Sequence, residues 1–230
     1  MFSVKLKCMT YDQCRAYMNL LVGIRNNDIG LVRQAIDLGF DLNIKNNYSV
    51  APALILAAPS SDTSLEIWQM LVKNGAEVNI ADFSTTPLYL AVMYRNIRFI
   101  EFLIEHGADV NYKDINNCSI LYISIKNKNI EIVKLLVANG ADIFDNCSPD
   151  MFDRLKYESL FDYAKRCSST EIINFLKTEY LEYIRNNLRL NISEKPTRIV
   201  FGYLGSNYST ERKKIKRNCN TRNCDICVIS

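Results

Sequence analysis

At 230 residues, 48% hydrophobic and 23% charged, the chain is apolar enough to bury a core and short for two full enzyme domains. Its longest apolar runs, such as residues 51–58 (APALILAA), fall well below the ~20 residues a membrane-crossing helix needs. The net charge of +3 conceals a split: residues 185–230 hold ten of the 28 basic residues and three of the 25 acids, net +7, which leaves residues 1–184 at net −4. A basic tail on an acidic body predicts an anionic partner for the tail and says nothing about the fold.

The opening MFSVKLKCMT carries lysines where a signal peptide has its apolar stretch, so the eight cysteines are expected to be reduced thiols. Phe2 excludes N-myristoylation. Thr10 and Gln13 have the spacing of a capping box, which predicts a first helix with Tyr17, Leu20, Leu21 and Ile24 on its apolar face. A motif then recurs: Gly39-Phe40-Asp41-Leu42-Asn43, Gly75-Ala76-Glu77-Val78-Asn79, Gly107-Ala108-Asp109-Val110-Asn111 and Gly140-Ala141-Asp142-Ile143. Its glycines are 36, 32 and 33 residues apart, the mark of a repeat architecture.

Ahead of each glycine lies an apolar pattern of helical spacing: Ile29, Val32, Ile36; Leu65, Trp68, Leu71, Val72; Ile97, Ile100, Leu103, Ile104; Ile130, Val133, Leu136, Val137. Glycine ends each helix because it takes the left-handed conformation past a helix C-terminus without steric cost. A shorter helix is predicted upstream, entered in the third unit through Thr86-Pro87-Leu88-Tyr89-Leu90-Ala91, where proline suits a first turn that leaves its missing N–H without consequence. Residues 159–164 and 171–176 form a last, divergent unit, expected to cap the array.

These residues resemble the ankyrin repeat, whose consensus runs T-P-L-H-L-A-A, then G-H-x-E-I-V-K-L-L-L, then G-A-D-V-N. Asn129-Ile130-Glu131-Ile132-Val133-Lys134-Leu135-Leu136 and Gly140-Ala141-Asp142 follow it almost letter for letter. The second unit is three residues longer around Ala58 to Asp62, Tyr89 and Tyr122 replace the usual histidine, and Asn117 stands at a turn position where glycine is common. Asparagine tolerates the positive φ that this turn needs. The resemblance implies an all-α solenoid of about five helix-turn-helix units with β-hairpin turns over residues 1–184, followed by a basic, flexible tail over 185–230. Its variants are similar to the ankyrin proteins of poxviruses, which sets host modulation as the expected biology.

Ankyrin arrays hold other proteins on their hairpin tips and inner helices. The resemblance therefore makes Tyr48, Phe83 and Ile115 at the tips, and Met93, Tyr94 and Arg95 after the third inner helix, the candidate partner contacts. No catalytic residue, metal, cofactor or small-molecule substrate is expected. No phosphate loop or nucleophile elbow occurs, and the single histidine, His106, sits at a helix end where the helix dipole accounts for it.

The chain closes on Cys227-Val228-Ile229-Ser230, a C-a-a-X box whose terminal serine favours farnesylation of Cys227. One lipid chain holds a protein at a membrane only marginally, so a second signal is expected. Arg212, Lys213, Lys214, Lys216 and Arg217 supply an electrostatic one, and Cys224 or Cys219 a palmitoylation site. Cys219, Cys224 and Cys227 make three of the four ligands of a zinc site and lack a fourth. The basic run also fits a nuclear import signal or a nucleic-acid contact, though it lacks the interleaved aromatics of a specific reader, and nucleic acid is the less favoured partner. The expectation is an adaptor in a host or eukaryotic cytoplasm, peripheral to a membrane through its lipidated tail.

Overall fold

The computed structural model describes residues 10–45, 51–59, 63–147, 158–167 and 169–188. The chain divides into two compact units, residues 1–142 and 143–230, which are taken separately. The first holds eight helices among its described residues: α1 Tyr11–Asn26, α2 Ile29–Asp37, α3 Ala53–Ala57, α4 Leu65–Lys73, α5 Pro87–Met93, α6 Ile97–Glu105, α7 Ile120–Lys126 and α8 Ile130–Ala138. They form four helix pairs, each an inner helix followed by an outer one.

Helix starts are set by side-chain caps. The capping box of α1 forms as its spacing predicts: Gln13 N–H donates to Thr10 Oγ1 at 3.2 Å, and Thr10 N–H to Gln13 Oε1 at 3.0 Å. Asp28, Asn96 and Asn129 each accept the N–H three residues on, at 3.1–3.2 Å, and so open α2, α6 and α8. Pro87 occupies the first position of α5, capped by Thr86.

Every outer helix stops in the same way. In α4, Gly75 N–H donates to Val72 O and Ala76 N–H to Leu71 O, both at 3.0 Å, the paired reverse bonds that use up the last carbonyls of a helix. The same pair recurs at Gly39, Gly107 and Gly140. These four glycines have φ between 70° and 91°, and a Cβ built on any of them meets nothing within 4 Å. Backbone conformation alone, and no crowding, therefore demands glycine there.

The repeats are joined by asparagine. Asn43 Nδ2 donates to Gly75 O at 2.7 Å while its Oδ1 accepts Glu77 N–H at 2.7 Å. Asn79 does the same to Gly107 O and Asp109 N–H at 2.9 and 2.8 Å, and Asn111 to Gly140 O and Asp142 N–H at 3.0 and 2.8 Å. A carboxamide carries a donor and an acceptor at one planar end, which is what a carbonyl and an N–H two residues apart require.

Between the pairs, the outer helices bury adjacent positions: Ile67, Trp68 and Leu71; Phe99, Ile100 and Leu103; Ile132, Val133 and Leu136. The stripe is rotated from the predicted one, because the first residue of each expected set lies at the helix start. Leu65 there is 43% exposed. Trp68 packs on Phe99 and Phe102 with ring centroids 4.7 and 5.6 Å apart, tying the second repeat to the third.

The second unit contains a two-residue antiparallel pair, β1 Asn146–Cys147 with β2 Glu158–Ser159, then α9 Leu160–Arg166 and α10 Thr170–Leu188. Ser159 caps α9 by accepting Asp162 N–H at 3.1 Å. Position 144, where the motif would place its asparagine, is Phe144, whose ring lies 5.5 Å from that of Tyr180 and 4.5 Å from that of Tyr183 on α10. The sequence motif thus loses its bridging amide at the residue after Ile143 and gains an aromatic cluster.

Removing one bridge tests its contribution. Asn79→Ala loses two exposed hydrogen bonds and is expected to lower unfolding free energy by about 1 kcal/mol in urea titration at unchanged slope. A change below about 0.3 kcal/mol would show that water replaces the amide without cost.

Candidate protein-binding surface

The hairpin tips and the inner-helix ends are where the fold leaves side chains unabsorbed. The third repeat's tip is a two-residue turn in which Asp82 and Thr85 exchange both backbone hydrogen bonds at 2.9 Å. Its central residues, Phe83 and Ser84, have φ of 45° and 64°. Such a turn favours Asn-Gly, and a bulky aromatic in the left-handed region is an outlier. Phe83 is nevertheless there, 64% exposed.

The fourth tip is built on Asp114. Its Oδ1 accepts the N–H groups of Asn116 and Cys118, both at 2.9 Å, while Asn117 takes φ 59° as the sequence predicts. This leaves Ile115 74% exposed at the apex. Beneath it, Tyr89 of α5 and Tyr112 have phenols pushed above the ordinary tyrosine range, first by burial and then by the Asp114 carboxylate. Tyr89 and Tyr112 therefore lie close to the acid that shapes the tip. Tyr122, the other replacement for histidine, is buried.

At the C-terminal end of α5, Met93 is 47% and Tyr94 56% exposed. Arg95 is exposed too, but its Nη2 donates to Asn127 O of the next repeat at 2.8 Å, so it is a bridge between repeats as well as a surface cation. Four of the six contact residues predicted from sequence are thus large, exposed apolar groups, and Arg95 has a structural task that its sequence did not signal. Tyr48 lies outside the described residues, as do Cys219, Cys224, Cys227 and the five basic residues from Arg212 to Arg217. Sequence reading missed Tyr11, 82% exposed, and Met18. They sit seven residues apart on α1, opposite its buried Tyr17, Leu20 and Ile24, and that complementary spacing was the available signal.

His106 has a structural explanation. Its Nδ1 lies 2.8 Å from Phe102 O, and a carbonyl only accepts, so Nδ1 carries the hydrogen. Asn74 and Asn139, at the same place in their repeats, donate Nδ2 to the carbonyl four residues back at the same 2.8 Å. Among the described residues, no group of His, Cys, Asp and Glu is arranged to hold a metal, and no helix is long and apolar enough to cross a membrane.

A family description reading "Ankyrin repeats (3 copies)" matches residues 20–114 and, overlapping, 54–147, more than half of the chain. The chain belongs to the ankyrin repeat family. Its repeats are 32% identical over 101 residues to zygote-specific protein 3 of Chlamydomonas reinhardtii, covering 44% of this chain and 26% of that protein. They are 33% identical over 108 residues to BRCA1-associated RING domain protein 1 of Caenorhabditis elegans, covering 46% and 15%. The putative ankyrin repeat protein FPV230 of fowlpox virus is 40% identical over 55 residues, covering 24% and 29%. The chain therefore spans less than a third of the length of each of these ankyrin relatives, and the likeness is one of repeats. Proteins so different in name share the ankyrin framework.

The tyrosines give the ankyrin units a pH signature. Tyr17, Tyr89, Tyr112 and Tyr180 are all raised above the ordinary tyrosine range, mainly by burial, so folding favours the neutral phenol. Their contribution is complete below the unfolded value and is lost as pH rises through the higher folded values. Thermal melts are expected to hold level up to about pH 10 and fall above it, with Tyr89→Phe falling less steeply. Equal alkaline slopes for the two proteins would contradict the assignment at Tyr89.

Proposed function

We propose that the chain is a non-enzymatic adaptor that captures a partner protein on its ankyrin surface and is held at a membrane by a prenylated, basic tail. The observation that carries the first half is the exposure of Phe83, Met93, Tyr94 and Ile115 at the tips and inner-helix end of the third and fourth repeats. Exposed aromatic and aliphatic anchors are the groups that dominate protein interfaces when a partner covers them. Phe83 adds weight, since an aromatic held at positive φ is retained against local preference. Similarity to a fowlpox virus ankyrin protein supports a viral setting in which the captured partner belongs to the host.

The second half rests on the terminal Cys227-Val228-Ile229-Ser230 and on the five cations fifteen to ten residues before Cys227. Farnesylation forms a thioether between Cys227 Sγ and the isoprenoid C1 with loss of diphosphate, and the adjacent cations add attraction to anionic lipid. The same cations would serve nuclear import if no lipid were attached. Localisation decides between the two: in eukaryotic cells Cys227→Ser is expected to move the protein from the membrane fraction to the soluble one with an unchanged melting temperature. A membrane share equal to that of the unaltered protein would remove prenylation from the account.

Partner capture has its own test. Phe83→Ala with Ile115→Ala is expected to weaken recovery of a cross-linked cellular partner at least tenfold, since each truncated anchor costs on the order of 1–2 kcal/mol. Undiminished recovery would place the interface elsewhere.

A further inference from the structure

Cations gather on the turns that join inner to outer helices in the third and fourth repeats, and most of them stand where the backbone does not favour them. The turn residue after α1, α5 and α7 takes positive φ: Asn27 at 54°, Arg95 at 57° and Lys128 at 53°. Asparagine suits that conformation, and glycine is its usual occupant in the consensus; arginine and lysine are strained in it. Arg98 lies in the first turn of α6, where the helix dipole disfavours positive charge, and that turn contains no acid. Only Lys126, in the last turn of α7, is where a helix welcomes a cation. The two turns are neighbours, because Arg95 Nη2 donates to Asn127 O between Lys126 and Lys128, and Asn127 Nδ2 reaches Val92 O at 3.4 Å. Arg98, Lys126 and Lys128 are exposed and form no ion pair among the described residues. This concentration of positive charge belongs to a body of residues 1–184 that is net −4.

Backbone strain at Arg95 and Lys128 and an unfavourable dipole at Arg98 weigh against these cations within the free protein. A bound anionic group is the circumstance in which they are offset. Beside the cations stand Met93 and Tyr94, the exposed apolar residues at the end of α5. We infer that Arg95, Arg98, Lys126 and Lys128, together with Met93 and Tyr94, form the docking surface for an acidic segment of the partner protein, one that alternates carboxylates with an aromatic or aliphatic anchor. This rests on the protein-capture reading above and specifies the chemistry of the partner. A peptide fits better than a nucleic acid, because Glu131 and Glu101 stand on the first and second turns of the adjoining outer helices and would repel a continuous phosphate backbone. Selective carboxylates can be spaced around them.

The test uses the full chain with Arg212, Lys213, Lys214, Lys216 and Arg217 changed to glutamine, so that the tail does not bind the acidic probe. A random peptide library is selected on it, and enriched peptides are titrated against variants in about 0.1 M salt. Selected peptides are expected to be rich in Asp and Glu with an apolar anchor. Arg98→Gln with Lys126→Gln and Lys128→Gln should weaken them about tenfold, as three exposed charge pairs would, and Met93→Ala with Tyr94→Ala by a similar factor. Lys128→Gly is the sharper variant: relief of the positive φ should raise the melting temperature by about 2–4 °C while peptide affinity falls. A fall in melting temperature would mean that lysine serves stability there, and would overturn the inference. So would neutral or basic peptides indifferent to the cations, although their loss on Phe83→Ala with Ile115→Ala would leave the capture reading intact. Failure to enrich any peptide would count against both. Tighter binding of a 20-nucleotide single strand or of phosphatidylserine vesicles, sensitive to the same three cations, would assign the surface to another occupant and overturn the proposal.

Discussion

Everything in the first unit depends on how the chain satisfies its backbone where one repeat meets the next. An outer helix ends with carbonyls that no helical N–H can reach, and the chain must then reverse. Glycine at positive φ permits the reversal, and the asparagine of the preceding repeat takes the glycine carbonyl and the N–H two residues later. The same hydrogen-bond closure thus recurs at three successive repeat junctions. Spacing within a repeat is free to vary so long as the amide meets its two backbone partners, which is why the longer second repeat is tolerated.

Closure of the backbone by so few residues leaves the rest of the surface open to other demands. At the turns after α1, α5 and α7 the same left-handed backbone is met by different residues, Asn27 in one repeat and Arg95 or Lys128 in others. Asn27 also accepts Ser64 N–H at 2.7 Å and so behaves as part of the frame. Where arginine and lysine stand instead, local preference is overridden, and the same holds for Phe83 at its tip. Lys128 and Phe83 are carried outward by the array, whereas Arg95 projects and, through its bond to Asn127 O, also holds two repeats together.

Much of this was legible in the sequence. The Thr10–Gln13 box, the proline at the start of α5, the four terminating glycines and the positive φ of Asn117 follow from one-residue stereochemistry, and such rules are local. The prominence of Phe83, Met93, Tyr94 and Ile115 followed from repeat phase. The phase of the buried stripe did not, because Leu65 and its equivalents satisfy helical spacing while sitting on a first turn that leaves Leu65 exposed and Ile29, Ile97 and Ile130 only half-buried. Neither did the bond from Arg95 to Asn127, which joins residues 32 apart and depends on how two repeats stack. Phe144 was visible as a departure from the motif, yet its ring contacts with Tyr180 and Tyr183 are tertiary.

Amide hydrogen exchange at Glu77, Asp109 and Asp142 tests the frame most directly, because each of these N–H groups donates to a bridging asparagine at 2.7–2.8 Å. If the asparagines join the repeats into one cooperative body, these three amides exchange as slowly as those of buried Ile67, Ile100 and Val133, through the same global opening. Exchange at Glu77, Asp109 and Asp142 that is orders of magnitude faster, while the helix interiors stay protected, would show repeats held by apolar packing alone and would contradict the account.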